Sequence, residues 1–345
     1  MRYSNLPNTD IKVSKICLGT MTFGNQNNES EGHLQMDYAL EKGVNFFDTA
    51  ELYPVPVNSK THGETERIIG TWFKRTGNRD KVILASKVVG PGINSAHIRE
   101  DLSFKKANIY KAVDKSLKRL QTDYIDLYQL HWPERITNTF GKRGYEHDKK
   151  DNWNENFEEV LSTLKGLIDS GKIRNIGLSN ENPWGVMRFI ELAKKNLPKM
   201  ITIQNPYSLL NRIFEVGNAE ICMRENVGLM AYSPMAFGVL SGKYRENKLP
   251  NNSRLNLFPN YNRYSSDQSR EATERYFKIA KENNLSLTEL SLAFVTDRPF
   301  VTTNIIGATT MEQLKENIKT IEISLSREII KEIENVQRII PNPAP

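Results

Sequence analysis

The chain has 345 residues, 38% apolar and 26% charged, long enough for one large domain or two ordinary ones. No apolar run approaches the roughly 20 residues a bilayer requires, which argues against a spanning protein and against a membrane partner. Lys and Arg number 47 against 41 acidic residues, a net charge of +6, but the basic pairs at 105–106, 149–150 and 194–195 are scattered. A nucleic-acid binder gathers such charge into one stripe, so no nucleic-acid partner is expected; an anionic small ligand is compatible.

The amino terminus carries two separated basic residues and no apolar signal segment, and the proline-rich tail resembles no sorting signal. Cys17 and Cys222 are too few for a disulfide framework and each lies in an apolar stretch. The expected setting is a reducing cytoplasm.

Residues 3–13 alternate apolar and polar around Pro7-Asn8-Thr9-Asp10, which predicts a hairpin (1–14) able to plug a barrel floor. Eight short apolar runs follow, at 16–18, 45–49, 82–86, 124–131, 175–179, 201–204, 228–233 and 303–307. Helical spacing separates them, at 30–42, 64–76, 109–120, 157–170, 184–196, 216–225, 267–283 with 287–295, and 311–320. Gly43 and Gly171 stand just past two of these helices, where a left-handed residue turns the chain into the next strand. Eight strand–helix units in about 300 residues predict a (β/α)8 TIM barrel rather than two doubly wound domains. The expected organisation is a single domain over 1–345. Long loops at 132–156 and 235–266 would lie on the carboxyl-terminal face, with a C-terminal segment at 321–345.

Barrel active sites gather where strands end. The second strand ends in Asp48, with Glu51 and Tyr53 in the loop beyond; the third ends in Lys87 and the fourth in His131-Trp132. Alone, each has an ordinary structural role: Asp48 a cap, Lys87 a snorkelling amine, His131 a hydrogen-bonded imidazole, Tyr53 a packing group. Together they place an acid, a phenol, an amine and an imidazole on three neighbouring strands, and a lysine in an apolar strand needs a counter-charge, for which Asp48 is the partner.

The segments Gly19-Thr20-Met21-Thr22-Phe23-Gly24, Phe47-Asp48-Thr49-Ala50-Glu51-Leu52-Tyr53, Ala85-Ser86-Lys87 and Leu127-Tyr128-Gln129-Leu130-His131-Trp132-Pro133 resemble the aldo-keto reductase superfamily. So do 171–180, Gln204-Asn205-Pro206-Tyr207-Ser208-Leu209, Tyr232-Ser233-Pro234 and 306–310, in order and spacing across essentially the whole chain. The loop Tyr53-Pro54-Val55-Pro56 and the insertion Phe140-Gly141-Lys142 look nearest to the bacterial Tas-like reductases, with potassium-channel β subunits as more distant relatives.

This resemblance implies NADP(H)-dependent interconversion of carbonyls and alcohols on a small-molecule substrate, without metal. It implies Tyr53 as general acid/base, Lys87 lowering the phenol's pKa, Asp48 holding Lys87, and His131 orienting the carbonyl. Met21, Tyr53, His131 and Trp132 would line the substrate pocket. A Rossmann fingerprint is missing, so the resemblance implies that the dinucleotide is held at the barrel mouth. Gly19, Thr20, Met21 and Asp48 would border it, Ser179, Asn180 and Gln204 would bond the carboxamide, and Tyr232 would stack under the ring. Ser233, Pro234, Met235, Phe237, Gly238 and Leu240 would line the pyrophosphate. Gly307, Ala308 and Thr309 would offer backbone donors, and Gln313, Glu316 and Asn317 would reach the adenosine. The resemblance also implies that Lys243 and Arg254 supply the cations a 2′-phosphate needs, although each could equally be a solvated loop charge.

The five histidines show no paired metal-ligand spacing. Gly63-Glu64-Thr65-Glu66 suits a helix amino terminus. Lys142, Arg143, Lys149 and Lys150 could favour acidic or phosphorylated sugars or simply be solvated. Two alternatives to a reductase stay open: a nicotinamide-nucleotide-sensing module resembling channel β subunits, and a barrel isomerase or hydrolase using the same groups without nicotinamide.

Overall fold

Ten strands alternate with eleven helices along the described residues of the computed structural model, which are 1–92 and 95–344; Pro345, the last residue of the C-terminal segment, falls outside them. Strands β1 (Tyr3–Asn5) and β2 (Lys12–Ser14) form the expected antiparallel hairpin. The other eight are parallel: β3 (Ile16–Gly19), β4 (Phe46–Asp48), β5 (Ile83–Val88), β6 (Ile125–Leu130), β7 (Ile173–Ser179), β8 (Met200–Pro206), β9 (Gly228–Tyr232) and β10 (Val301–Ile306). They pair in chain order, and β10 closes on β3, giving the (β/α)8 barrel.

Side chains alternate across a strand, so each strand divides its residues between barrel interior and helix-facing surface. Cys17, Phe46, Ala85, Leu127, Ile201, Met230 and Ile305 form an interior cluster, and Leu6 and Val13 of the hairpin join it from below. The hairpin plugs the floor, as the alternation predicts. Ile16, Leu18, Phe47, Leu84, Tyr128, Leu130 and Leu178 face outward into the layer shared with the helices. Stepping two residues up from Phe46, Ala85 and Leu127 reaches Asp48, Lys87 and Gln129, and a polar interior layer replaces the apolar one at the carboxyl-terminal end. Gly177 pairs with Gln129 in that layer; a Cβ there would come 2.2 Å from the Thr202 hydroxyl.

The connecting helices are α1 (Glu29–Glu41), α2 (Glu64–Thr76), α3 (Lys106–Leu120), α4 (Phe157–Asp169), α5 (Pro183–Ala193), α6 (Asn218–Glu225), α7 (Arg254–Leu257), α8 (Asp267–Glu282), α9 (Leu287–Thr296), α10 (Met311–Lys319) and α11 (Arg327–Ile339). Gly43 and Gly171 are left-handed, with φ of 82° and 74°. Three departures from the sequence reading stand out. The sixth helix, expected from 216, begins at Asn218, and a tight turn over Ile213–Val216 precedes it. The loop at 235–266 contains a four-residue helix beginning at Arg254. Within 321–345, α11 packs Ile329, Ile333 and Val336 inward at helical spacing, a signal present in the sequence but not assigned above. No helix among the described residues is long and apolar enough to cross a membrane.

Candidate active site

Lys87 is fully buried, and its ammonium has three protons to place. Its Nζ donates to Asp48 Oδ2 at 2.8 Å, to the Thr49 carbonyl at 2.7 Å and to the Tyr53 hydroxyl at 3.4 Å. Asp48 turns its other oxygen to the side-chain amides of Gln204 at 2.7 Å and Gln129 at 3.4 Å. A buried ion pair is tolerated only when such bonds replace water, and here both partners are surrounded by them. Tyr53 faces His131 edge-on, ring centroids 5.8 Å apart. The four residues gathered from three strand ends therefore sit together at one point of the barrel mouth.

Burial pulls the Lys87 ammonium down, but the charges of Asp48 and Tyr53 and hydrogen bonds to both outweigh it, and its pKa ends above the ordinary value. Burial pushes the Tyr53 phenol up, and the opposing pull of Lys87 does not overcome it. The expectation that Lys87 lowers the phenol below its ordinary value is thus corrected: the cation moderates a rise that desolvation causes. Burial first, and Lys87 second, drive His131 well below the usual imidazole range, so its ring is neutral. Its Nδ1 is buried and has no hydrogen-bond partner among the described residues.

The opposite arc of the mouth is built from β7 to β10. Ser179 and Gln204 are paired across β7 and β8, and the Ser179 hydroxyl donates to the Gln204 carbonyl at 2.9 Å. Asn180, left-handed at φ 53°, donates to the His131 carbonyl at 2.9 Å and accepts from the Tyr232 hydroxyl at 2.7 Å. Ser233, Ala236 and Phe237 are also left-handed, so the chain beyond Tyr232 curls through Pro234, Met235 and Gly238 rather than running straight. Two cations end this curl. Lys243 is lowered by burial and then by Arg254, and Arg254 is lowered by burial while lying 5.0 Å over the Phe237 ring. Neither has a carboxylate partner among the described residues, which strands two neighbouring positive charges.

The model of the Aldo/keto reductase family matches residues 15–338. The chain belongs to the aldo/keto reductase family. Among relatives, Protein tas of Escherichia coli (strain K12) is 48% identical over 352 residues, covering all of both chains. The Bacillus subtilis (strain 168) uncharacterized oxidoreductase YrpG is 34% identical across 99% of this chain and 97% of its own. A probable voltage-gated potassium channel subunit beta of Arabidopsis thaliana is 29% identical across 97% and 96%. Membership carries a reductase role and the general use of nicotinamide cofactors, and the resemblance to Tas-like proteins read from the motifs stands.

The remaining residues singled out on the family motifs have varied placements. Gly19 ends β3, where a Cβ would meet Ile305 and the Ile306 carbonyl at 2.9 Å, and Thr20 donates its hydroxyl to the Asp48 carbonyl at 2.8 Å. Leu240 is fully buried and its N–H is spent on the Met235 carbonyl. Gly307 has open space where a Cβ would stand, whereas the Thr309 N–H already donates to the Gln313 side chain at 3.0 Å. Asn317 donates to the Gly307 carbonyl at 3.2 Å, and Glu316 accepts from Ser286 at 3.4 Å. The Ala308 carbonyl accepts from Gln35 at 3.3 Å. Met21 and Trp132 pack with Val55 and Val57 around Tyr53.

Trp132 is fixed by its Nε1 donating to the Pro91 carbonyl at 2.9 Å, and Phe140 meets it edge-on at 5.7 Å. Of the basic residues on this insertion, Arg143 donates to the carbonyls of Asn342 and Pro343 in the C-terminal tail. Sequence reasoning missed Arg263, which hydrogen-bonds Tyr232 and lies 5.4 Å over the Tyr264 ring. Its segment has neither periodicity nor a motif, so only the fold brings it to the mouth. Among the described residues no group of three or more His, Cys, Asp and Glu side chains could hold a metal ion.

Proposed function

We propose that this protein is an NADP(H)-dependent reductase interconverting aldehydes or ketones and alcohols, with Tyr53 as general acid and base. The observation that carries the reading is the buried ammonium of Lys87 held by Asp48 and Thr49 with its third proton aimed at the Tyr53 oxygen. When bound, the dinucleotide supplies or accepts the hydride. As negative charge develops on the carbonyl oxygen, Tyr53 donates its proton there. A phenol kept protonated by burial is the form reduction needs, and Lys87 stabilises the phenolate left behind. Neutral His131 keeps one N–H with which to orient the carbonyl. In the reverse direction the Tyr53 phenolate takes the alcohol proton, so oxidation is favoured by alkaline pH.

Ser179, Asn180 and Gln204 would hold the nicotinamide end and Tyr232 would offer a flat face to it. The two stranded cations, Lys243 and Arg254, fit an anionic phosphate and support NADP(H) over NAD(H). The substrate is a small carbonyl compound reached from the cytoplasm, and the whole chain serves as one catalytic unit.

The test is a fluorescence titration with NADPH followed by turnover on a panel of aldehydes, ketones and sugar aldehydes. Turnover that is lost in Tyr53→Phe supports the proposal. Tight NADPH binding without turnover anywhere on the panel would favour the sensing role, which the 29% identity to a probable channel β subunit keeps in view. No response to NADPH would leave chemistry without nicotinamide.

A further inference from the structure

Glu51 lies three residues after Asp48 and two before Tyr53, is 1% exposed, and belongs to none of the roles assigned above. Both ends of this residue grip the strand that carries Lys87. Its backbone N–H donates to the Lys87 carbonyl at 3.2 Å, and its Oε1 accepts from the Val89 N–H at 2.7 Å. Arg99, equally buried in the loop after β5, closes on the carboxylate with a two-pronged contact of 2.6 and 2.9 Å. A surface loop gains nothing from burying an ion pair this deeply, since desolvation offsets the attraction and apolar residues would hold the loop as well. What a bidentate pair adds is geometry: it fixes two segments to one another in a single register.

The segments fixed here are the ones that carry the two reacting partners. Between Asp48 and Tyr53 the chain has one side-chain anchor to β5 in Lys87 Nζ, through Asp48 and the Thr49 carbonyl, and a second in Glu51. Tyr53 is then set by short local bonds, its N–H to the Ala50 carbonyl at 3.1 Å and its carbonyl accepting from Gly63 at 3.0 Å. Releasing Glu51 leaves the 3.4 Å separation of Lys87 Nζ and Tyr53 Oη without its second support. We infer that Glu51 and Arg99 are positioning residues for the proposed reduction, clamping the Tyr53 loop onto the Lys87 strand so that ammonium and phenol stay in register.

The inference rests on the proposed function, and its test separates the two. Glu51→Gln removes the charge, and Glu51→Gln/Arg99→Met removes both charges, so that no buried cation is stranded. Melting temperature establishes that each folds. Tyr53 titration, read in ligand-free protein as the ultraviolet difference against the same background carrying Tyr53→Phe, is expected to move to higher pH in both variants, because Lys87 no longer moderates the phenol. Turnover is expected to fall about 10- to 100-fold in kcat while NADPH affinity stays within about two-fold. Should a variant fail to fold, Arg99→Lys keeps the opposite charge but loses the fork, and the same readouts apply with the same direction. A folded variant with the parent's kcat and the parent's Tyr53 titration would overturn the clamp. A parent that reduces no carbonyl would overturn the reductase reading alone, and the ligand-free titration would still decide the clamp.

Discussion

The two arcs of the barrel mouth are built on opposite principles. Around Asp48, Tyr53 and Lys87 every charge is buried with its counter-charge, and the polar atoms of the ion pair are bonded to neighbouring strands. Around Lys243 and Arg254 two cations stand near each other with no carboxylate partner among the described residues, and the chain leading to them is held in left-handed turns at Ser233, Ala236 and Phe237. The first arc is complete in the free protein. The second carries an electrostatic debt that an anion would settle; on the proposed function, chemistry is preorganised while ligand capture is left to the ligand.

Replacing Tyr53 by Phe should separate the arcs most sharply. Carbonyl reduction should fall by about a thousand-fold, the scale of a lost general acid, while NADPH affinity stays near that of the parent. A parallel loss of affinity would mean that the arcs are not independent. Next, Lys87→Met strands the Asp48 carboxylate, which should cost about 3–5 kcal/mol in urea unfolding as well as most of the turnover. The sign of its pH dependence follows from the raised Lys87 pKa. Its contribution to stability is fully present below the ordinary lysine value of 10.5 and is lost as pH climbs through the higher folded value, and Lys87→Met should remove that alkaline loss.

On the other arc, Lys243→Ala/Arg254→Ala should weaken NADPH binding about 10- to 100-fold and flatten its salt dependence, with NADH affected less. Unfolding of the ligand-free variant should show little loss of stability, because relief of the repulsion between the two cations offsets the lost contact of Arg254 with the Phe237 ring; a marked loss would show that they have anionic partners in the fold. The smallest effect concerns His131, whose pKa is depressed by burial and by Lys87. Below about pH 6.5 the unfolded chain binds a proton that the folded one refuses, so stability is present above that pH and declines beneath it. Relative to His131→Asn, the parent should lose about 1–2 kcal/mol more between pH 6.5 and 5 in urea titrations.

Much of this architecture was legible before any coordinates. The eight apolar runs and the helical spacing between them yield the barrel, because strands buried on both faces carry few polar residues until their ends. Gly43 and Gly171 mark turns because only glycine enters the left-handed region at little cost. That Asp48, Lys87 and His131 would gather was equally legible, since they interrupt apolar strands where polar residues need a reason. Helix α11 was overlooked despite Ile329, Ile333 and Val336 at helical spacing. Arg263 and Arg99 were beyond reach: each comes from a loop whose path depends on what it packs against.

The sequence by itself determined the barrel, a hairpin able to plug its floor, the family and the identity of the groups at the mouth other than Arg263, because each depends on local periodicity or on residues adjacent in the chain. Tertiary structure alone decided which way Tyr53 titrates, since desolvation is a property of everything packed around it and outweighs the nearby Lys87 charge. It alone also joined Glu51 to Arg99 and brought Lys243 to Arg254, because side chains far apart in sequence meet only when the barrel closes.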